Sequence, residues 1–317
     1  MSFESSTRLR VRLLSPAARR AARERVLTVL EATGRPSTGR ALDDLALAFA
    51  SFDRAELWLA LAVLHGELPA ASELRRVRRI AELDGPWAAL QRTLTVAATG
   101  GVYPSVRVVG SGTTLLDVTG LDSSNTETQG RAIARSLASE WVTAEGVLPV
   151  MWTANRKALR ALTAEEAAEL GYPAPSVSAS EILVPHDAAY VLVGTVDKPR
   201  SSEGLIALGQ SSRNATASIG FGLGRLIGAE AYRRQEGEER FSWHVAAQRS
   251  FNTLVVVGDG IMEHYRGWER MLPAVGFEGP KLVDIPVTPA ADGVMSLDDW
   301  RAISHSVGSA IGIYVGQ

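Results

Sequence analysis

The run Gly220-Phe221-Gly222-Leu223-Gly224 follows the apolar segment 215–219, a pattern in which glycines let the backbone approach a pyrophosphate at a helix N-terminus. A dinucleotide-binding turn also needs a second strand ending in an acid about 20 residues on. Arg233-Arg234-Gln235-Glu236-Gly237-Glu238 stands there instead, polar and unlike a strand. The glycines therefore fit a close approach of backbone to a ligand, or a loop that has lost its side chains, better than a nicotinamide or flavin site. His186 and Asp187 are adjacent, while His244 and His264 stand alone, and none has the paired helical spacing of a zinc motif. There is no Gly-x-Ser-x-Gly elbow, no Walker loop and no evident nucleophile-base pair. The basic run Arg75, Arg76, Arg78, Arg79 could meet phosphates, but beside Leu74, Val77 and Ile80 it reads as the solvated face of a helix. No cofactor and no metal is expected.

Composition narrows the function classes. The 317 residues are 46% apolar and 21% charged, enough to bury a sizeable core in one large domain or two smaller ones. A net charge of -2 provides no general attraction to nucleic acid or anionic membrane. The absence of cysteine rules out disulfides, thiolate metal sites and a cysteine nucleophile. The longest apolar stretch near the N-terminus, 57–64, is far short of the roughly 20 residues of a membrane-spanning helix. The Arg-rich first residues lack the apolar core of a secretory signal, so the expected location is the cytoplasm.

These residues must be positioned by two kinds of element. Residues 1–100 read as helices: Ser15-Pro16 supplies a cap and an N1 proline, Gly34 a stop, Asp53 and Gly66 bracket another helix, Ser72 opens the next, and Gly85-Pro86 a further one. From about residue 105 the period changes to strand-helix alternation, with strands at 106–109, 114–118, 148–152, 182–184, 190–193, 215–219, 253–257 and 282–285. Such alternation implies an α/β fold, a mostly parallel Rossmann-like sheet over 101–290 flanked by helices. Its ligands should meet the loops at the carboxyl ends of the strands, after Val118, Trp152, Val184, Ile219 and Val257. Ile311-Gly312-Ile313-Tyr314-Val315 has the composition of a buried parallel strand, which would either close this sheet or begin another.

Asp117-Val118-Thr119, Thr128, Arg135 and Trp141, then Val150-Met151-Trp152-Thr153, Ile182-Leu183-Val184-Pro185, Asn214, Val255-Val256-Val257 and Glu263-His264-Tyr265-Arg266-Gly267-Trp268 form an ordered set. In order and spacing it resembles the amino-terminal lobe of bacterial retaining GT-B glycosyltransferases. Leu57-Trp58-Leu59-Ala60 is similar to the helical preface of some members, so the likeness spans nearly the whole chain. The resemblance implies an acceptor-binding lobe over 101–290 and, over 291–317, a linker and the first strand of a donor lobe that this chain lacks. It implies a cleft lined by Thr128, Arg131, His186, Asp187, Asn214, Gly220, Gly222, Gly258, Asp259 and His264. The chain departs from the pattern at Thr128-Gln129-Gly130-Arg131-Ala132, at Gly222-Leu223-Gly224-Arg225 and at Gly258, where members carry more polar groups.

The resemblance therefore implies sugar transfer from a nucleotide-sugar to a glycan or lipid-linked polysaccharide acceptor, with the chain inactive alone and completed by a separate donor-lobe polypeptide or by self-association. The alternative is a non-catalytic glycan-binding or assembly subunit derived from that lobe. A dinucleotide-binding α/β protein is the third reading.

Overall fold

A computed structural model describes residues 16–99, 104–121, 129–194, 196, 198–220, 235–257, 261–285 and 297–312. Five helices come first: α1 (Pro16–Ala32), α2 (Ala41–Phe49), α3 (Arg54–His65), α4 (Ala71–Asp84) and α5 (Pro86–Thr99). The α3 boundaries follow from local chemistry. Asp53 accepts from the backbone of Ala55 and Glu56 while Glu56 reaches back to the Asp53 amide, and Gly66 ends the helix at φ 65. Helix α2 has no comparable cap, Arg40 preceding it without a side-chain bond, and the sequence reading passes over it. Eight α3 residues from Leu57 to Leu64 are buried, so this helix is the axis around which the others pack.

Nine strands follow: β1 (Val106–Val109), β2 (Thr114–Asp117), β3 (Val147–Trp152), β4 (Leu159–Ala161), β5 (Ile182–Pro185), β6 (Ala189–Leu192), β7 (Ala215–Gly220), β8 (Thr253–Val257) and β9 (Lys281–Ile285). They form one sheet in the order β1-β5-β4-β3-β2-β6-β7-β8-β9. Every pairing is parallel except the two made by β4. The mostly parallel α/β sheet expected from the alternation is thus present, and β4 is the antiparallel strand that the alternation did not announce. The interleaved helices are α6 (Gln129–Trp141), α7 (Ala164–Leu170), α8 (Pro199–Ser211), α9 (Gln235–Gln248), α10 (Met262–Met271) and α11 (Leu297–Ile311).

Both faces of the sheet are covered, as a parallel sheet requires. Leu115, Val150, Trp152, Tyr190 and Leu192 join the α1–α5 helices and α8 in one core. Leu116, Met151, Val191, Ile219 and Val255 pack on the other face against Ile133, Leu137 and Trp141 of α6 and Ile303 and Val307 of α11. The helical region has no separate core: Gly204 of α8 brings the Trp152 ring and Leu68 together, a β-carbon there lying 3.2 Å from the ring and 3.4 Å from Leu68. Arg25 of α1, buried, donates to the carbonyls of Leu64 (2.9 Å) and Pro104 (2.8 Å) and so ties α1 to the end of α3 and the entry to β1.

The end of the chain departs from expectation. Residues up to Ile311 continue a helix, not a strand, and Gly312 takes φ 79. Residues 313–317 lie outside the described set. Trp141 Nε1 donates to the Ser304 carbonyl and Val307 is fully buried, which docks α11 onto the sheet region.

Candidate functional site

The sheet progresses in opposite directions from β2. One path runs through α6 to β3 and the strands beyond it, the other through β6 to β7, β8 and β9. After β2 the chain goes to α6 on one face, and after β6 to α8 on the opposite face. The chain therefore leaves β2 and β6 toward opposite faces at their carboxyl ends, the point of order reversal at which open α/β sheets take their ligands.

Beneath this point three residues of three adjacent strands meet in the core. Asp117, fully buried at the end of β2, accepts from the Thr119 amide at 2.9 Å, from Trp152 Nε1 of β3 at 2.9 Å and from the Tyr190 hydroxyl of β6. The Trp152 amide in turn donates to Thr119 Oγ1 at 3.0 Å. Burial pushes the Asp117 carboxyl above its usual range, against the four hydrogen-bond contributions from Thr119, Tyr190 and Trp152. Tyr190 is raised well above 10, by burial first and by the adjacent carboxyl second. These groups have their donors and acceptors engaged with one another, so they lock the ends of β2 and β3 to β6.

Above these residues, backbone meets backbone. The Val193 and Gly194 amides both donate to the Asp117 carbonyl at 3.1 Å, and a β-carbon on Gly194 would stand 1.9 Å from the Thr119 carbonyl oxygen. No other residue fits there. Gly220 ends β7 under the ring of Tyr265 from α10, with 2.8 Å between its hypothetical β-carbon and that ring. Nearby, Ser218 Oγ and Gln248 Oε1 are buried with no hydrogen-bond partner among the described residues, although the Gln248 amide reaches the Ile219 carbonyl at 3.4 Å. Orphaned polar atoms are costly inside a protein, and these two lie beside β7. The Val196 amide donates to His244 Nδ1 at 3.4 Å, and desolvation lowers the half-buried His244 ring to about 4, leaving it neutral and an acceptor.

The residues expected in one cleft divide between two edges. Gly220 and the exposed His264, in the first turn of α10, are at the carboxyl edge, as is the backbone of Arg131 near the start of α6. His186, Asp187 and Asn214 are not. Four residues separate β1 from β2 and three separate β5 from β6. The His186 amide bonds to the Val109 carbonyl and the Ala189 amide to that of Thr113, so the parallel pair β1–β5 passes directly into the pair β2–β6. The carboxyl end of β5 is consequently the amino edge of β6. There Asn214 accepts from the Ala188 amide at 3.0 Å and donates to the Pro185 carbonyl at 3.0 Å, and His186 Nε2 donates to the Ala32 carbonyl at the end of α1. Asp187 adopts φ 52 at the bend itself. These three residues brace a bend. Thr128, Gly222, Gly258 and Asp259 lie outside the described residues.

The sequence reading passes over Gly194, Ser218 and Gln248, and names Tyr265 only within a motif and not as a site residue. Gly194 has one signal, its place immediately after the apolar run of β6, while the other three depend on contacts between distant segments. Among the described residues no group of three or more histidines and carboxylates is placed to hold a metal ion, and no helix is long and apolar enough to cross a membrane. No protein-family model matches the chain, and no curated protein matches it.

Proposed function

We propose that the chain is an acceptor-binding lobe of GT-B glycosyltransferase type, holding a glycan or lipid-linked sugar acceptor in the crevice between the carboxyl ends of β2 and β6. The observation that carries the reading is the Thr119–Gly194 contact, because a backbone-lined crevice at the point where strand order reverses is where open α/β sheets take their ligands. Hydroxyl-rich ligands suit such a lining, since peptide groups and neutral polar side chains can exchange hydrogen bonds with them without a fixed charge. Ser218 and Gln248 add unsatisfied polar capacity close by. The N-termini of α6 and α8 open toward the same edge, and Lys198 precedes α8 without a side-chain cap, so the local potential is positive.

The same geometry favours binding over complete catalysis by this chain. Asp117 is the carboxylate beneath this point, and its oxygens are taken up by Thr119, Trp152 and Tyr190, which leaves it unable to serve as a general base without dismantling its support. A donor lobe would supply the nucleotide-sugar site. Isothermal calorimetry with a panel of neutral and acidic oligosaccharides, and in parallel with uridine and guanosine diphosphate sugars, tests the reading. Oligosaccharide binding without nucleotide-sugar binding is expected. Stoichiometric binding of a nucleotide-sugar to this chain alone would overturn the acceptor-lobe assignment.

A further inference from the structure

A cavity of about 790 Å³ opens in the helical region among α2, α3, α4 and the start of α5. It belongs to the amino edge of the sheet: Asp53 at its rim pairs with Arg213 and Arg54 donates to Ser211 Oγ at 3.0 Å, both just ahead of β7. It is thus separate from the crevice between β2 and β6, and the inference drawn from it stands independently of the function proposed above.

The floor is apolar. Phe49, Leu57 and Leu74 are buried, and Phe52, Ala71 and Ala81 continue the surface. The rim carries Arg54, Arg75 and Arg78 against Asp53 and Glu82. The two acids are already engaged. Asp53 caps α3 and binds Arg213, and its carboxyl is held below the usual range by the Glu56 backbone first and Arg213 after it. Glu82 pairs with Arg78 at 3.0 Å. That leaves Arg54, whose only bond is to a neutral hydroxyl, and Arg75, which makes no ion pair or hydrogen bond among the described residues. An apolar floor of ligand-holding size beneath two guanidinium groups without carboxylate partners is complementary to one kind of molecule.

We infer that this cavity binds a single-chain amphiphile, its alkyl tail on Phe49, Leu57 and Leu74 and its anionic head on Arg54 and Arg75. The tail gains burial in proportion to the apolar area it covers. The head gains charge-assisted hydrogen bonds from planar donors suited to carboxylate or phosphate oxygens. The basic run of α4 is then divided in use: Arg75 and Arg78 face the cavity, while Arg76 and Arg79 do not line it.

Calorimetry on the full chain below the critical micelle concentration tests this, with dodecyl phosphate and dodecanoate as probes and dodecanol and inorganic phosphate as controls. Saturable one-site binding of the dodecyl anions is expected, with both controls weaker by about tenfold or more. The ratio of the two anions tells which head the site prefers. Arg75→Glu, at an exposed position that does not support the fold, should weaken the anions by about tenfold or more and leave dodecanol unchanged. Ala71→Phe should block anions and dodecanol alike by filling the cavity. Binding of dodecanol as tight as that of the anions, anion binding indifferent to Arg75→Glu, or no saturable binding at all would overturn the inference.

Discussion

The two edges of the sheet are built on opposite plans. At the amino edge, side chains close the structure: Asn214 bonds to Ala188, Pro185 and Ser212, and Asn252 Oδ1 accepts from the Thr216 amide and hydroxyl at 2.8 and 2.9 Å. At the carboxyl edge, Gly194 brings main chain against main chain at Thr119, and beside β7 Ser218 and Gln248 keep buried polar atoms without partners among the described residues. Both edges are the ends of the same strands, so the difference is one of purpose. Polar groups spent on one another, as at Asn214 and Asn252, make a brace, whereas a glycine-width approach with polar atoms in reserve beside it is equipped to hold something else.

Substitutions should separate the two plans. The largest effect is expected at Gly194. An added methyl meets the Thr119 carbonyl at 1.9 Å, and since the contact is backbone on both sides it cannot relax by a rotamer change; Gly194→Ala should lose about 3 kcal/mol or more in urea unfolding. A cost under about 1 kcal/mol would mean that the two loops are not held together as described.

The next effect is pH dependence from His244. Its folded pKa of about 4 lies below the ordinary histidine value of 6.5, so the folded state favours the neutral ring. That contribution is complete above pH 6.5 and is lost as pH falls through about 4, reaching up to about 3 kcal/mol. In His244→Gln, which keeps an uncharged polar group, stability should be correspondingly flatter between those two values in chemical denaturation. Glu166 gives an internal control in another window. Its bidentate pair with Arg160, both contacts at 2.6 Å, holds it at about 2, so its contribution is lost only as pH falls from about 4.5 through about 2.

Asn214→Ala should cost about 2 kcal/mol, because the buried Ala188 amide and Pro185 carbonyl lose their partner, yet it should leave oligosaccharide affinity unchanged. An affinity loss at constant stability would join the two edges into one site. The smallest effect is His186→Gln, under about 1 kcal/mol, since one part-buried bond to the Ala32 carbonyl is at stake.

Much of the architecture was legible from period and punctuation. Asp53 and Gly66 bracket α3, and the alternation after residue 105 gives the strands of the parallel sheet, because both depend on neighbours in sequence. Strand β4 was not legible: three residues pairing antiparallel with β3 and β5 carry too little pattern of their own. The site was read less well for a related reason. His186 and Asp187 follow a strand, which ordinarily places residues at the carboxyl edge, but the strand bends and resumes as β6 within three residues. No local pattern distinguishes a strand that ends from one that bends. Likewise the helix over 297–311 is held by contacts distant in sequence, Trp141 on the Ser304 carbonyl and the burial of Val307, which its own composition does not announce.

We propose ligand binding at the carboxyl edge of β2, β6 and β7. The most direct measurement follows backbone amide shifts of ¹⁵N-labelled protein during titration with an oligosaccharide found to bind by calorimetry. The amides of Thr119, Gly194, Ser218 and Gly220 should move together with one affinity while those of Ala188, Asn214 and Ala215 stay in place. Shifts confined to the second group, or to the helical region alone, would contradict the account.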